Sequence, residues 1–160
     1  MMKRLKKAAK ERKLFNHIIE AVIGGKTDPI AIQAAIADYL NIQLNETTKP
    51  ARADKIHKWF KDNSNEGKTK FLLVLDDVWE MVDLNDIGWP FPNQGVDFKI
   101  LLTSRDRHIC TNMGAEANSV FNVGLLTEAE AQNLFWQFVE TSDPELHTLG
   151  EDIVTKCCGL

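Results

Sequence analysis

The segment from Phe71 to Met81 constrains the fold of this chain more than any other. Its first five residues, Phe71 to Leu75, are all large and apolar, and the run stops at Asp76 and Asp77. An uninterrupted apolar run is typical of a strand in a parallel α/β sheet, because helices cover both faces of such a sheet. The segment therefore predicts a central strand with two acidic residues at its carboxyl end.

This acidic pair lies where parallel sheets bind their ligands, beyond the carboxyl ends of the strands. Two carboxylates in this position can hold a magnesium ion and polarise a water molecule beside a nucleoside triphosphate, as in a Walker B strand. Alternatively, Asp76 or Asp77 only caps a helix that begins near Val78. The pair by itself leaves both interpretations open.

A second apolar run, Phe98 to Leu102, is followed by Thr103, Ser104 and Arg105. If the two strands are neighbours in one parallel sheet, these hydroxyl groups and the guanidinium lie at the same edge as the acidic pair. The guanidinium fork binds phosphate oxygens in pairs, so Arg105 is a candidate contact for a terminal phosphate. The alternative is a surface arginine at the start of a helix.

Residues 24–27, with the sequence GGKT, resemble the end of a phosphate-binding loop. The full pattern needs glycine at position 20, where the chain has Glu20, and it needs the lysine and threonine within the first helical turn. Asp28 and Pro29 instead form a helix start after them. We therefore interpret residues 24–27 as a flexible turn.

The composition excludes several classes of protein. With 160 residues, 44% of them hydrophobic, the chain can bury a core without disulfides or metals. Its three cysteines and four scattered histidines form no disulfide framework and no zinc spacing, which indicates reduced thiols in the cytoplasm or nucleus. No apolar run is long enough to span a bilayer, so we expect no stable membrane insertion.

The first 13 residues are strongly basic. They hold seven Lys or Arg and one Glu, a net charge of +6, whereas the whole chain carries −4. Such a segment is compatible with nucleic acid, a membrane surface or a targeting signal. However, Met1, Leu5 and Ala8 form only a narrow apolar stripe, and no aromatic residue lies between the basic ones. We therefore expect a helix with one buried face and a solvated basic face, and no nucleic-acid partner.

Predicted strands and helices alternate along residues 14–123, which is typical of a mostly parallel sheet. Residues 124–160 are all helical, so we expect an α/β domain over 1–123 and the start of a helical module over 124–160. Thr127 and Glu130 fit a capping box for the first helix of that module, and Ser142 begins the second. Helical spacing places four residues of the second helix on one face: Leu146, Leu149, Ile153 and Cys157. The predicted strands are 14–23, 71–75, 98–102 and 119–123, and the predicted helices before residue 124 are 1–13, 28–40, 50–63 and a short one that ends near 113.

Four motifs stand in a fixed order: FLLVLDDVW at 71–79, KILLTSR at 99–105, GLLTEAEAQNLF at 124–135 and CCGL at 157–160. In order and spacing they resemble the NB-ARC nucleotide-binding region of plant disease-resistance proteins, the intracellular immune receptors that carry leucine-rich repeats. The resemblance extends over residues 1–160. Trp79, at the end of the acidic motif, is similar to the class with an N-terminal coiled coil and not to the Toll/interleukin-receptor class.

The resemblance implies a P-loop NTPase-like fold, a parallel sheet with helices on both faces, that binds ADP or ATP with magnesium. Asp76 would hold the magnesium ion, directly or through water, and Asp77 would be the catalytic residue that polarises the attacking water. Arg105, with Thr103 nearby, would sense the terminal phosphate. The helices from Leu125 onward would open the small helical ARC subdomain of the family.

The resemblance also implies a cytoplasmic molecular switch of plant defence. ADP would hold a closed resting state, ATP would favour an open signalling state, and hydrolysis would be slow at most. The partners would be the nucleotide and the other domains of the same receptor, namely leucine-rich repeats and a coiled coil. Two alternatives remain open: another P-loop ATPase class, such as an AAA-type motor or a small-molecule kinase with steady turnover, and a non-binding interaction scaffold.

The chain departs from the family pattern at both ends. The phosphate loop and the strand before it are expected immediately before Met1, and the GLPL motif that Gly159 and Leu160 would begin is cut before its proline. A sheet without that strand would have a gap bordered by unpaired backbone groups, which are costly when buried. We therefore expect the 160 residues alone to fold poorly and to bind ADP weakly or not at all. Tight ADP binding in calorimetry would refute this expectation.

Overall fold

The computed structural model describes residues 2–90, 95–140 and 143–159. The chain divides into two compact units, Met1–Val120 and Phe121–Leu160. In chain order the described elements are α1 (Met2–Glu11), β1 (His17–Gly25), α2 (Pro29–Leu40), α3 (Lys49–Asn63), β2 (Lys70–Val78), β3 (Asp97–Leu102), α4 (Arg107–Asn112), a 3-10 turn (Ala117–Ser119), α5 (Glu128–Trp136) and α6 (Pro144–Cys157). The first unit is thus α/β and the second is helical.

The three strands form one parallel sheet in the order β1-β2-β3. The central residue Leu73 of β2 lies opposite Ile19 of β1 and Ile100 of β3. This arrangement confirms the parallel α/β sheet that the apolar runs predict. The three described strands are contiguous, so the gap expected from a missing strand does not interrupt them.

Alternate residues of β2 pack against different layers of helices. Phe71, Leu73 and Leu75 belong to the larger core, which contains buried residues of α2 and α3. Leu72 and Val74 belong to a smaller core that contains residues of α1. Helices therefore cover both faces of the sheet, which is why the five residues of β2 from Phe71 to Leu75 are all apolar.

Local sequence signals fix where the helices begin. The carboxylate of Asp28 accepts a hydrogen bond from the backbone N–H of Ile30, so α2 starts at Pro29 as predicted. Thr48 caps α3 in the same way, although its bond is long at 3.4 Å. Thr127 and Glu130 form the predicted capping box at the start of α5.

The basic segment forms α1, and its buried face differs from the predicted stripe. Met2 and Ala9, which are seven residues apart, are buried, whereas Leu5 is exposed. Met1, the other large residue of the predicted stripe, lies outside the described residues. The stem of Lys6 is partly covered because its ammonium group pairs with Glu20 of β1. The basic residues around this face are mostly exposed, as expected.

Two expectations about strands are wrong. The predicted strand at 119–123 is absent, because the 3-10 turn is followed by irregular backbone in which Phe121 and Val123 are exposed. The segment does not pair with any described strand, and a strand is stable only when a partner satisfies its backbone groups. The first strand begins at His17 and not at residue 14, after a left-handed turn at Lys13.

The buried face of α6 also differs from the predicted one. Gly150 and Val154 are buried, whereas Leu146, Leu149 and Ile153 are exposed. A Cβ added at Gly150 would collide with the ring of Trp136, so the missing side chain is what lets α5 approach α6 on this side. None of the helices in the described ranges is both long and apolar enough to cross a membrane.

Candidate functional site

The structure brings the four predicted site residues to one edge of the sheet. Because β2 and β3 are parallel neighbours, their carboxyl ends meet. Asp76 and Asp77 are among the last three residues of β2, and Thr103 and Arg105 lie within three residues after the end of β3. The proposed alternative, in which an aspartate caps a helix near Val78, is wrong, because β2 continues to Val78 and no helix starts there.

Thr103 makes four hydrogen bonds with the end of β2. Its backbone N–H donates to the carbonyl of Leu75 at 3.0 Å, and its carbonyl accepts from the N–H of Val78 at 2.8 Å. Its hydroxyl donates to Oδ1 of Asp76 at 2.6 Å and accepts from the backbone N–H of Asp77 at 2.9 Å. Thr103 therefore fixes the acidic pair through both its backbone and its side chain.

The backbone of Asp77 is left-handed, with φ of 57°. Aspartate is one of the few residues other than glycine that adopt this conformation, because its short polar side chain can bond locally. In a regular strand, consecutive side chains lie on opposite faces. Here Asp76 contacts Thr103 and Asp77 contacts Arg105, so both carboxylates lie at the same edge of the sheet.

Arg105 lies over this edge and is largely in solvent. Its Nε is 3.8 Å from Oδ1 of Asp77, and its side chain is 80% exposed. Its Cζ lies 5.0 Å from the ring centroid of Trp79. An exposed ion pair of this length stabilises the fold by about 1 kcal/mol at most. The guanidinium is thus loosely held and accessible to a ligand.

The acidic pair fits a magnesium ion that arrives with phosphates, and it does not form a complete metal site. Among the described residues, no three His, Cys, Asp or Glu side chains are placed to hold a metal together. Magnesium in nucleotide sites needs only one or two carboxylates, since phosphates and water supply the rest. Thr103 occupies one carboxylate oxygen of Asp76, and the other has no hydrogen-bond partner among the described residues.

Residues 24–27 do not form a phosphate loop. Gly25, with φ of 139°, still pairs with Val78 across a register shift, so β1 includes both glycines. The interpretation of the whole GGKT segment as a turn is therefore wrong for the glycines and holds for Lys26 and Thr27. These two precede α2 and lie outside its first turn, as predicted.

The sequence gives no signal for two features of the site. It nominates Thr103 only as a neighbour of Arg105, and not as the partner of Asp76 and of the Asp77 amide. It also gives no sign that Asp77 is left-handed beyond the tolerance of aspartate for that conformation. Both features depend on the pairing of two distant segments.

Comparisons with known proteins identify the family that the chain resembles. The profile of the NB-ARC domain matches residues 1–145. The chain is 36% identical to the disease resistance protein SUMM2 of Arabidopsis thaliana over 153 residues, which cover 91% of this chain and 16% of SUMM2. It is 35% identical to the disease resistance protein UNI of the same plant, over 83% of this chain and 14% of UNI. The probable disease resistance protein At1g61300 is 33% identical, over 96% of this chain and 20% of its own length. The chain thus spans at most about a fifth of each of these relatives.

Proposed function

The chain belongs to the NB-ARC family, and on that premise we propose that it is part of an ADP/ATP-dependent switch in a plant immune receptor. The observation that carries this proposal is the meeting of Asp76, Asp77, Thr103 and Arg105 at one edge of the parallel sheet. Carboxylates and a guanidinium at such an edge have the chemistry that a magnesium-bound polyphosphate requires.

Each side chain has a distinct proposed role. Asp76, through its free carboxylate oxygen, holds magnesium directly or through water, and the ion neutralises phosphate charge when it is bound. Asp77 polarises the water that attacks the terminal phosphate. Arg105 contacts that phosphate with its guanidinium fork, which the exposed position of the side chain leaves available.

The purpose of this site is regulation. A ligand shifts a conformational equilibrium only by the difference between its interaction energies in the two states. ATP offers Arg105 a γ-phosphate, which ADP lacks, so the two nucleotides favour different states. Slow hydrolysis by the Asp77 mechanism then returns the switch to its ADP state.

The domain organisation and setting are part of the same proposal. The compact units Met1–Val120 and Phe121–Leu160 support a nucleotide-binding α/β domain over 1–123 and the start of a helical ARC subdomain over 124–160. The receptor would act in the cytoplasm and would use leucine-rich repeats and a coiled coil as its partner domains.

A chimera tests the proposal in a chain of full length. Residues 1–160 replace the matching segment of SUMM2, which supplies the remaining domains. We expect Arg105→Ala to lower the preference for ATP over ADP at least tenfold, and Asp76→Ala to abolish the magnesium dependence of ATP binding. Arg4→Ala and Asp62→Ala are controls, since both residues are exposed and far along the chain from the edge. If nucleotide binding, hydrolysis and signalling are unchanged in both Asp76→Ala and Arg105→Ala, the proposed mechanism is wrong.

A further inference from the structure

We propose that Tyr39 guards the outer edge of β1, and that this edge, once it is uncovered, pairs with the same edge of a second copy of the chain. The guard is the phenol of Tyr39, whose oxygen accepts a hydrogen bond from the backbone N–H of Ile18 at 3.1 Å. The inference goes beyond the proposed nucleotide switch and does not depend on it.

β1 is an edge strand among the strands that the structure describes. The sheet has the order β1-β2-β3, so β1 pairs on one side only. The other side of an edge strand presents backbone N–H and C=O groups that are a template for pairing with another chain. The outer side of β1 is therefore a candidate interaction surface.

The strand that the family resemblance predicts before Met1 would not cover this side. The connection from β1 to β2 runs through α2 and α3 on the face of the larger core, whereas α1 lies on the opposite face. Crossover connections between parallel strands are right-handed in nearly all proteins. Because α1 lies on the opposite face, a right-handed connection through it runs along the sheet in the opposite direction, from the β3 side towards β1. β1 thus remains at the edge in the SUMM2 chimera, which supplies the predicted strand.

Tyr39 lies along this outer side, beside the amino half of β1. The N–H of Ile18 points away from β2, because its partner is the hydroxyl of Tyr39 and not the ladder. The ring of Tyr39 also packs edge-to-face against that of His17, with the centroids 6.2 Å apart. Leu40, the next residue of α2, is buried and holds the end of this helix against the sheet. The tyrosine side chain therefore takes up the position from which another strand would pair.

The part of β1 behind this guard has the composition of a pairing strand. Its register with β2 is regular over residues 17–22, and the only charge over residues 18–23 is that of Glu20. The carboxylate of Glu20 is paired with Lys6 of its own chain. Two copies of this edge can therefore approach without strong like-charge repulsion, and a two-fold axis makes one edge complementary to itself.

The carboxyl half of β1 is protected in a different way. Its register with β2 shifts between Val22 and Gly25, and such a bulge twists an edge strand away from further pairing. No shift interrupts residues 17–22. The regular half of the strand is thus the part that needs a side chain to cover it, and Tyr39 contacts this half.

The test measures the mass of the SUMM2 chimera by analytical ultracentrifugation over a range of protein concentrations. Tyr39→Ala removes the ring and the hydroxyl, and we expect it to tighten dimer formation about tenfold or more relative to the unchanged chimera. Ile30→Ala is the matched control, because Ile30 lies on the same helix and is 46% exposed, against 45% for Tyr39. It should leave the association unchanged. Val22→Lys, added to Tyr39→Ala, places a charge on the opened edge at an exposed position and should restore the association of the unchanged chimera.

Hydrogen exchange at the Ile18 amide measures the guard directly. Tyr39→Phe keeps the ring and removes only the acceptor, so this amide should exchange about five- to tenfold faster at a concentration where the protein is monomeric. The amide of Leu73, in the middle of β2, should exchange at an unchanged rate. This measurement decides the outcome if Tyr39→Ala does not fold.

Three results would overturn the inference. The first is a folded Tyr39→Ala chimera that associates no more tightly than the unchanged one. The second is an association of Tyr39→Ala that Val22→Lys leaves intact, because the copies would then meet through another surface. The third is equal exchange of the Ile18 amide in Tyr39→Phe and the unchanged chimera, since the hydroxyl would then protect no backbone group of the edge.

Discussion

Gln33 connects three segments of the first unit, and its replacement tests how the connection after β2 is held. The side chain is completely buried, and its Nε2 donates to the carbonyl of Lys49 at 2.9 Å and to that of Asp86 at 2.7 Å. Lys49 and Asp86 also form an ion pair at 2.5 Å. One amide group of α2 thus holds the first residue of α3 and the segment that leads away from the acidic pair.

The cost of Gln33→Leu follows from these contacts. The change removes two neutral hydrogen bonds, each of which stabilises a protein by about 0.5–1.5 kcal/mol. The carbonyl of Lys49 can still accept within α3, whereas that of Asp86 loses its donor. Some free energy is regained, because Oε1 of Gln33 is buried without a hydrogen-bond partner and disappears with the amide. We therefore expect a loss of about 1–3 kcal/mol in the free energy of unfolding.

Urea denaturation of the 160-residue chain measures this loss. Far-UV circular dichroism reports unfolding of the helices and strands, and tryptophan fluorescence, to which the fully buried Trp89 contributes, is followed in parallel. A fixed concentration of sucrose keeps a marginal chain folded, since such osmolytes favour compact states. The control is Gln43→Leu, at an exposed glutamine, which should change stability by less than about 0.5 kcal/mol. An unfolding midpoint for Gln33→Leu equal to or above that of the unchanged chain would refute the reasoning.

Three further changes have definite expected outcomes. Gly88 has a left-handed backbone with φ of 71°, and a Cβ added there would lie 2.9 Å from a side-chain carbon of α3 and closer still to a carbonyl oxygen of α3. Gly88→Ala should therefore lower the free energy of unfolding by about 2–5 kcal/mol in the same urea assay. The backbone N–H and then the hydroxyl of Thr127 hold the pKa of Glu130 below its ordinary value of 4.5. The charged form of Glu130 therefore stabilises the start of α5, fully above pH 4.5, and this stabilisation is lost as the pH falls through the pKa of Glu130 in the folded chain. NMR titration should give a higher pKa for Glu130 in Thr127→Ala. Trp79→Leu removes the ring that helps to hold Arg105 in its present position, so it should raise the preference of the chimera for ATP over ADP about two- to fivefold. Trp79→Phe keeps an aromatic ring and should raise this preference less.

The sequence predicts those parts of the fold that depend on local pattern. The run ending at Asp76 identifies a strand covered on both faces, because only full burial allows five large apolar residues in succession. Helix starts at Asp28 and Thr127 are predictable because one side chain caps each of them. The four candidate site residues are found from the same strand ends.

Other parts depend on contacts between distant segments and leave no local signal. The apolar residues at 119–123 resemble a strand, yet they pair with no described strand. The exposed face of α6 has the expected helical spacing, but a glycine beneath Trp136 decides which side is buried. In the same way, the hydroxyl of Thr103 finds Asp76 only after β2 and β3 pair.

In the proposed function, weak attachment is what would suit Arg105 to distinguish two nucleotides. Its exposed ion pair with Asp77, at 3.8 Å, stabilises the present position by about 1 kcal/mol at most. The ring of Trp79 adds roughly 0.5–1 kcal/mol at an exposed site. A charge-assisted hydrogen bond to phosphate gains about 1.5–3 kcal/mol, and a guanidinium fork can make two. Under the proposed function, the γ-phosphate of ATP would therefore draw Arg105 away from Asp77, whereas ADP, which lacks it, would leave Arg105 in place. A buried, fully paired arginine would have no such freedom, because moving it would leave an unpaired charge behind.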